Sequence, residues 1–307
     1  MQSLRILAFG DNHGNTESLS RIVEETTDEE FDYIIHTGDI TNTYKTDFQT
    51  GVEQLKSVEP YFETLSQRGE LVYIYGNRDS ERVPGGNRRH VTEEYELTPG
   101  HRLRREETIE VTGQRFTSNP KSAEQGDILL THGIVPQQFY RPEAKAYFCG
   151  DTHRAVQQDH ALNTGYLYND KGYFGAYFIA ELDESGITTQ VLGLDERWKP
   201  VVCPDHEWYG RQFHPEKFGC RICKFGPQQQ FAPMVHFAFN AATDGVGNGK
   251  TAKLEEIITS ARGLFVDTEE YAQQIRQYLL VLAENDTPGP FDPLVPTDGD
   301  EKRLQSP

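Results

Sequence analysis

The sequence holds no apolar run close to the roughly 20 residues that a membrane-spanning helix needs, which excludes a helical membrane protein. Four cysteines in 307 residues are too few for a disulfide scaffold. Basic residues are also short, with 30 Lys and Arg against 48 Asp and Glu and a net charge of -18. Such an acidic chain does not coat nucleic acid or anionic membrane over its whole surface. No internal repeat is present. The opening MQSLRILAFGDNHGN runs straight into a strand and lacks a signal-peptide pattern, so a cytoplasmic location is expected.

What the chain does have is a repeated grammar in its first half. Leu4 to Phe9 reads as a buried strand ending at Gly10-Asp11, and Glu17 to Glu25 carries helical spacing. Tyr33 to His36 reads as a second strand ending at Gly38-Asp39. A helix over about Phe48 to Ser66 leads to a third strand, Leu71 to Tyr75, ending at Gly76-Asn77. This βαβαβ order predicts a parallel sheet with ligands at the carboxyl ends of its strands. Further strands of antiparallel character are expected over Thr108–Val111, Ile128–Thr131, Ala146–Cys149, Gly172–Glu181 and Thr188–Gly193. The first domain therefore covers residues 1–194.

Polar residues recur where these strands end: Asp11 and His13 in DNHGN, Asp39 in GD, Asn77 in GNRD, His132 in THG, and Asp151 and His153 in GDTH. One strand ending in Gly-Asp is explained by a turn or a helix cap. Five such endings converging on one sheet edge call for another cause. Two divalent cations about 3.5–4 Å apart need a carboxylate between them and hold a bridging water that ionises near neutral pH. Imidazoles, carboxylates and amide oxygens complete such shells.

The ordered set D-x-H, GD, GN-x-D, H-G and G-x-x-H resembles the calcineurin-like metallophosphoesterase family over residues 4 to about 193. The resemblance implies an α/β fold, a four-layer α-β-β-α sandwich, and hydrolysis of a phosphate ester by a two-metal-bound hydroxide. It implies that Asp11, His13, Asp39 and His153 hold one metal. Asp39 would bridge to a second, held also by Asn77, His132 and Asp151. Two departures stand out. The family usually places His where Arg78 stands; an arginine is no general acid at neutral pH, but its fork can clamp a phosphoryl oxygen. Asp79 would then hold Arg78 in place, and Asp39 and Asn77 join these two as the catalytic set. Some short bacterial and archaeal members also lack that His and resemble phosphodiesterases, so a phosphodiester is favoured over a monoester. The second departure is Asp151, where His is usual. A carboxylate there favours Mn2+, with Fe2+, Mg2+ or Ni2+ as further candidates, over zinc. Arg82, Arg88, Arg89 and His90 offer a phosphate pocket beside Arg78, with a solvated run of loop charge as the plainer explanation.

Residues 195–284 read as a separate module. Cys203-x-x-His206 and Cys220-x-x-Cys223 have the spacing of a structural Cys3His zinc site, with His214 as a spare ligand. Six basic residues against three acidic ones between Arg197 and Lys224, with Trp198 and Trp208, suit single-stranded nucleic acid or packing onto the first domain. A strand over Met234–Asn240 and helices over Thr251–Ala261 and Thr268–Glu284 should follow. DGVGNGKT, residues 244–251, imitates a phosphate-binding loop but has Asp244 where the motif needs Gly. Residues 285–307, rich in Pro, Asp and Gly, read as a disordered tail. The competing functions are a catalytically silent scaffold of the same fold, and a nuclease or nucleotide phosphodiesterase whose zinc module docks the strand. Oligomeric state and natural substrate are not legible.

Overall fold

In a computed structural model the described residues are 3–84, 87–119, 122–132, 145–151, 153, 155–158, 160–168, 174–183, 186–194, 198–204, 211–215, 251–253, 294–296 and 302–305. Contacts divide the chain into two compact units, Met1–Pro136 with Arg141–Phe218, and Gln137–Tyr140 with Gly219–Pro307.

The first unit runs β1 (Leu4–Phe9), α1 (Thr16–Glu25), β2 (Tyr33–His36), α2 (Phe48–Ser66), β3 (Glu70–Tyr73), β4 (Ser80–Arg82), β5 (Arg88–His90), β6 (His101–Arg102), β7 (Thr108–Val111) and β8 (Gln114–Thr117). It continues through β9 (Ile128–Leu130), β10 (Ala146–Cys149), β11 (Ala155–Gln158), β12 (Ala161–Thr164), β13 (Ala176–Asp183), β14 (Gly186–Gly193), β15 (Trp198–Val201) and β16 (Arg211–Pro215). One sheet has the order β14-β13-β1-β2-β3-β6, with β1, β2, β3 and β6 parallel as the βαβαβ reading requires. A second has the order β15-β16-β11-β12-β10-β9-β8-β7.

Side-chain alternation makes the first sheet a partition. Leu7, Phe9, Ile34, Leu71 and Tyr73 point to one face, where Leu19 and Ile22 of α1 and Leu55, Val58 and Phe62 of α2 close a core. Ile6, Ala8, Ile35, Val72 and Phe178 point the other way and meet Phe116, Ile128, Leu130, Phe148 and Leu162 of the second sheet. Burial on both faces is why these short parallel strands are nearly all apolar. The helices begin where capping chemistry allows. Asn15 accepts Ser18 N at 2.8 Å to start α1, and Asp47 accepts Thr50 N at 2.9 Å to start α2. Among the described residues the result is a mixed α/β fold with several sheets and few helices, and none of those helices is long and apolar enough to cross a membrane.

The second sheet departs from the antiparallel character expected. Strands β8, β9, β10 and β12 run parallel, and only β7, β11, β15 and β16 pair antiparallel. The β11–β12 hairpin has no counterpart in the sequence reading, because AVQQ and ALNT are too small and polar to announce strands. That sheet also continues past Leu194 through β15 and β16.

In the second unit, β17 (Thr251–Lys253), β18 (Leu294–Pro296) and β19 (Lys302–Gln305) form an antiparallel sheet in the order β17-β19-β18. Thr251 therefore begins a strand rather than a helix, and the tail contributes two strands despite its Pro-rich composition. Non-local pairing there overrides local propensity. The other expectations for residues 216–293, the strand, the helix over Thr268–Glu284 and the phosphate-loop imitation up to Lys250 included, lie outside the described residues. Of the proposed zinc ligands Cys203 is described and buried, and His206, Cys220 and Cys223 lie outside.

Candidate active site

The carboxyl ends of β1, β2 and β3 from the first sheet and β9 and β10 from the second deliver their residues to one place. The site thus sits across two sheet ends, not on one sheet edge. Five of its members, Asp11, His13, Asp39, Asp151 and His153, have φ between 50° and 65°. This left-handed conformation is uncommon for residues other than glycine and is stored at functional sites. The strained residues all lie in the turns that follow β1, β2 and β10.

DNHGN can be read residue by residue. Asp11 N donates to Gly38 O at 2.9 Å and His13 N to Asp39 O at 3.1 Å, lacing the first two strand-end loops together. Asn12 Oδ1 accepts His36 Nε2 at 2.9 Å, while His36 Nδ1 accepts Gly38 N at 3.1 Å. Burial, with neighbouring His132 adding to it, lowers the His36 pKa to about 3, so this imidazole is neutral and serves as a brace. Gly14 takes φ 76° and Asn15 caps α1.

Two groups of ligand atoms result, each within 4.8 Å: Asp11, His13, Asp39 and His153, and Asp39, His132 and Asp151. His153 Nε2 lies 3.3 Å from Asp11 Oδ1, and His13 Nε2 lies 3.4 Å from Asp39 Oδ2. On the other side, His132 Nε2 lies 3.1 Å from Asp39 Oδ1 and 3.6 Å from Asp151 Oδ1. Asp39 alone belongs to both groups. Asn77 lies beside the second group, its Nδ2 donating to Asp151 Oδ1 at 3.2 Å.

Four atoms at the centre, Asp11 Oδ1, His13 Nε2, Asp39 Oδ2 and His132 Nε2, are buried without a hydrogen-bond partner. Unsatisfied buried carboxylates and imidazoles in one cluster are costly unless a cation completes them. His132 Nδ1 donates to Thr37 O at 2.8 Å, which leaves the Nε2 lone pair facing the two carboxylates. The charges are tightly interlocked. Burial raises the Asp11 pKa. Burial pushes Asp39 up as well, but His132 and His13 outweigh it and hold Asp39 below the usual carboxylate range. Burial opposes protonation of His132, yet Asp39, Asp11 and Asp151 together raise its pKa well above the ordinary value. The donor set fits divalent cations at both groups.

GNRD divides its work differently from expectation. Arg78 N donates to Asp39 Oδ1 at 2.7 Å, and its guanidinium Nε lies 3.9 Å from Asp39 Oδ2. Asp79 does not hold the Arg78 side chain. Its carboxyl accepts Gly76 N and Thr41 N, both at 2.7 Å, and Thr41 Oγ1 at 2.9 Å, tying the third strand end to the second. Burial, then the charge of Asp39, raises the Asp79 pKa to about 7, and those donors pull against the rise. An open cleft of about 440 Å³ borders the site, lined by His13, Asn15, Asn42, Arg78, His153 and Tyr168. Arg88 is outside that lining and donates to Asn77 O at 3.1 Å. Arg89 is outside it too, stacked 3.4 Å over Phe48 and paired with Glu94 at 3.7 Å, and His90 pairs with Thr92 at 2.8 Å.

Sequence reasoning missed Tyr168. Its ring stacks on His13, with centroids 4.6 Å apart at 16°, and its hydroxyl lies 2.9 Å from His153 Nδ1. The loop that carries it follows β12, which lies parallel beside β10 and ends at the same place. The available signal was the Gly165-Tyr166-Leu167-Tyr168 run after a strand too weak to recognise.

An α/β fold with two sheets and a twin carboxylate–imidazole cluster at their strand ends defines a protein with a candidate metal site. The pattern of the calcineurin-like phosphoesterase superfamily domain matches residues 4–184, and the chain belongs to that family. Among solved structures it is similar to an archaeal phosphodiesterase (20% identity, 62% of this chain and 100% of that chain, TM-score 0.35). It is similar also to Yfce, a phosphoesterase from E. coli (15% identity, 62% and 100%, TM-score 0.33). A conserved uncharacterized protein from Streptococcus pneumoniae TIGR4 is a third (16% identity, 63% and 91%, TM-score 0.35). No curated protein matches the sequence.

Proposed function

We propose that the chain hydrolyses phosphate esters with two divalent cations, phosphodiesters in preference to monoesters. The observation that carries this is Asp39, one buried carboxylate shared by two ligand groups whose central atoms lack hydrogen-bond partners. Asp11, His13, Asp39 and His153 would hold one cation, and Asp39, Asn77, His132 and Asp151 the other. When bound, such cations polarise phosphoryl oxygens and acidify water. Three carboxylates in the set favour Mn2+, Fe2+ or Mg2+ over zinc. Arg78 reaches the cleft beside Asp39 and would clamp a phosphoryl oxygen. It cannot return a proton to a leaving oxygen, so esters with competent leaving groups are the better substrates.

Two structural expectations belong to the same proposal. Leu129, Tyr147 and Ala161 on the outer face of the second sheet are fully buried, which supports a further layer over it and hence the four-layer sandwich. A structural zinc held by Cys203, His206, Cys220 and Cys223 belongs to the proposal on its sequence spacing alone.

The direct test is turnover of an aryl phosphodiester and its matching monoester with manganese added. Faster diester cleavage is expected; monoester cleavage alone would replace the diesterase with a phosphatase. A silent scaffold is favoured by the Arg78 guanidinium leaning towards Asp39, where it competes with a cation. Metal content separates the two, since a scaffold has no use for tightly held cations.

Tyr168 bears on the first cation. With His153 Nε2 turned to Asp11, its Nδ1–H would donate to the Tyr168 hydroxyl oxygen and so hold the ligating tautomer. Tyr168→Phe keeps the stack on His13 and removes that acceptor. Manganese titration should show affinity weakened about tenfold or more; unchanged affinity would leave Tyr168 as a packing residue only.

A further inference from the structure

A second feature adjoins the cleft. Tyr44 is ringed by three cations: the guanidinium carbons of Arg78 and Arg82 lie 5.6 and 5.0 Å from its centroid, and Lys45 Nζ lies 5.5 Å away. Arg88 anchors the same corner through Asn77 O and Ser80 Oγ. The corner is fixed to the site, because Tyr44 N donates to Arg78 O at 3.1 Å and Lys45 N to Asn42 O at 2.8 Å, and Asn42 lines the cleft.

What distinguishes these cations is their clustering round one ring beside the cleft. Acidic residues outnumber basic ones 48 to 30 in this chain, so an exposed arginine should readily find a carboxylate. Arg5, Arg21, Arg102, Arg104 and Arg115 do, while Arg68 turns to Val23 O and Thr26 Oγ1 instead. Among the described residues neither Arg82, Lys45 nor Arg88 has a carboxylate within 4 Å, and Arg78 has only Asp39. The Tyr44 ring attracts each of these cations, yet gathered round one half-buried ring they also repel one another, and an anion among them would relieve that repulsion. A single phosphate would be served by Arg78 alone. Cations continuing outwards to Arg82 and Lys45 call for a ligand with further charges and a flat group to lie on tyrosine.

We infer that Tyr44, Lys45 and Arg82 form a subsite for single-stranded nucleic acid, placing one phosphodiester of the strand at the metal cluster. The inference rests on the phosphodiesterase reading above and names the substrate class for it. Stacking on tyrosine together with Lys and Arg contacts to phosphates is the usual basis of sequence-tolerant single-strand binding. A duplex keeps its bases stacked inside and offers Tyr44 no such partner.

The test uses the full-length, manganese-loaded protein and a labelled phosphorothioate single strand, with anisotropy read between about 50 and 200 mM salt. The wild type should bind the strand at low salt, and better than the matching duplex. The double variant Lys45→Ala, Arg82→Ala should bind about tenfold more weakly. Its slope of log affinity against log salt should be shallower by about 1.4, since each phosphate contact on a single strand contributes about 0.7. Tyr44→Ala should weaken binding about fivefold or more while the slope stays as in the wild type. The single variant Lys45→Ala, whose ammonium faces only the Tyr44 ring among the described residues, should cleave a small aryl phosphodiester at the wild-type rate, because that substrate ends before the subsite. No binding by the wild type at low salt, equal affinity for the duplex, or an unchanged slope in the double variant would overturn the subsite. Failure of the wild type to cleave the aryl diester would instead remove the phosphodiesterase reading, and the binding results would then stand alone.

Discussion

Asp39→Asn should lower metal-dependent hydrolysis of an aryl phosphodiester about a thousandfold, the largest loss expected from any one side chain. The substitution is mild for the fold. Asparagine tolerates the left-handed conformation that Asp39 adopts at φ 54°, and its amide oxygen can still accept Arg78 N, as Oδ1 does at 2.7 Å. What changes is the other position. An NH2 group would replace Oδ2, which faces His13 Nε2 at 3.4 Å, and an NH2 group ligates no cation. Both ligand groups lose their shared charge together, so metal content should fall at both. Thermal stability measured in chelator at neutral pH should fall, because His132 and His13 favour the ionised Asp39 carboxylate and asparagine offers them no charge. Activity within tenfold of wild type would remove Asp39 from the shared position and, with it, the two-cation reading.

How much of this was legible in the sequence follows from what each signal depends on. Strands β1, β2 and β3 are buried on both faces, so their apolar runs are unambiguous, and Gly10-Asp11, Gly38-Asp39 and Gly76-Asn77 mark their ends. The ligand candidates could therefore be named before any geometry. Their convergence from two sheets could not, because β9 and β10 pair in parallel through non-local contacts that no local pattern encodes. Asp79 misled for a related reason. Adjacency to Arg78 suggested an ion pair, whereas the 3-10 turn over Asn77–Asp79 sends the two side chains apart, Asp79 inwards to the backbone of Gly76 and Thr41. Tyr168 was hidden by a different cause: its contacts are with residues far along the chain, and β12, which positions it, is built of ALNT. Arg88 and Arg89 show the limit of reading charge alone, since one braces Asn77 and the other covers Phe48.

Gly76→Ala is the sharper probe of how the second ligand group is built. Gly76 has φ -105°, which alanine adopts without strain, so the backbone gives no objection. Space does. A Cβ there would meet Asp39 Oδ1, His132 Nε2 at 2.5 Å and Asp39 N at 2.6 Å. His132 and Asp39 would have to part by several tenths of an ångström, more than the roughly 0.2 Å that metal–ligand distances tolerate. Asp39 belongs to the first group as well, but it faces His13 through Oδ2 rather than the crowded Oδ1. Asp11, His13 and His153 are not among the nearest atoms, so the first group should be the less disturbed. The expected result is a protein with unchanged far-ultraviolet circular dichroism that binds about one equivalent of manganese instead of two. Its diester turnover should fall about a hundredfold or more, as when a metal site loses its supporting geometry. Asp39→Asn and Gly76→Ala thus separate by stoichiometry: the first depletes both cations, the second only the one near His132 and Asp151. Two equivalents bound at wild-type affinity by Gly76→Ala would mean that His132 does not ligate, and the second group would then need a different member in its place.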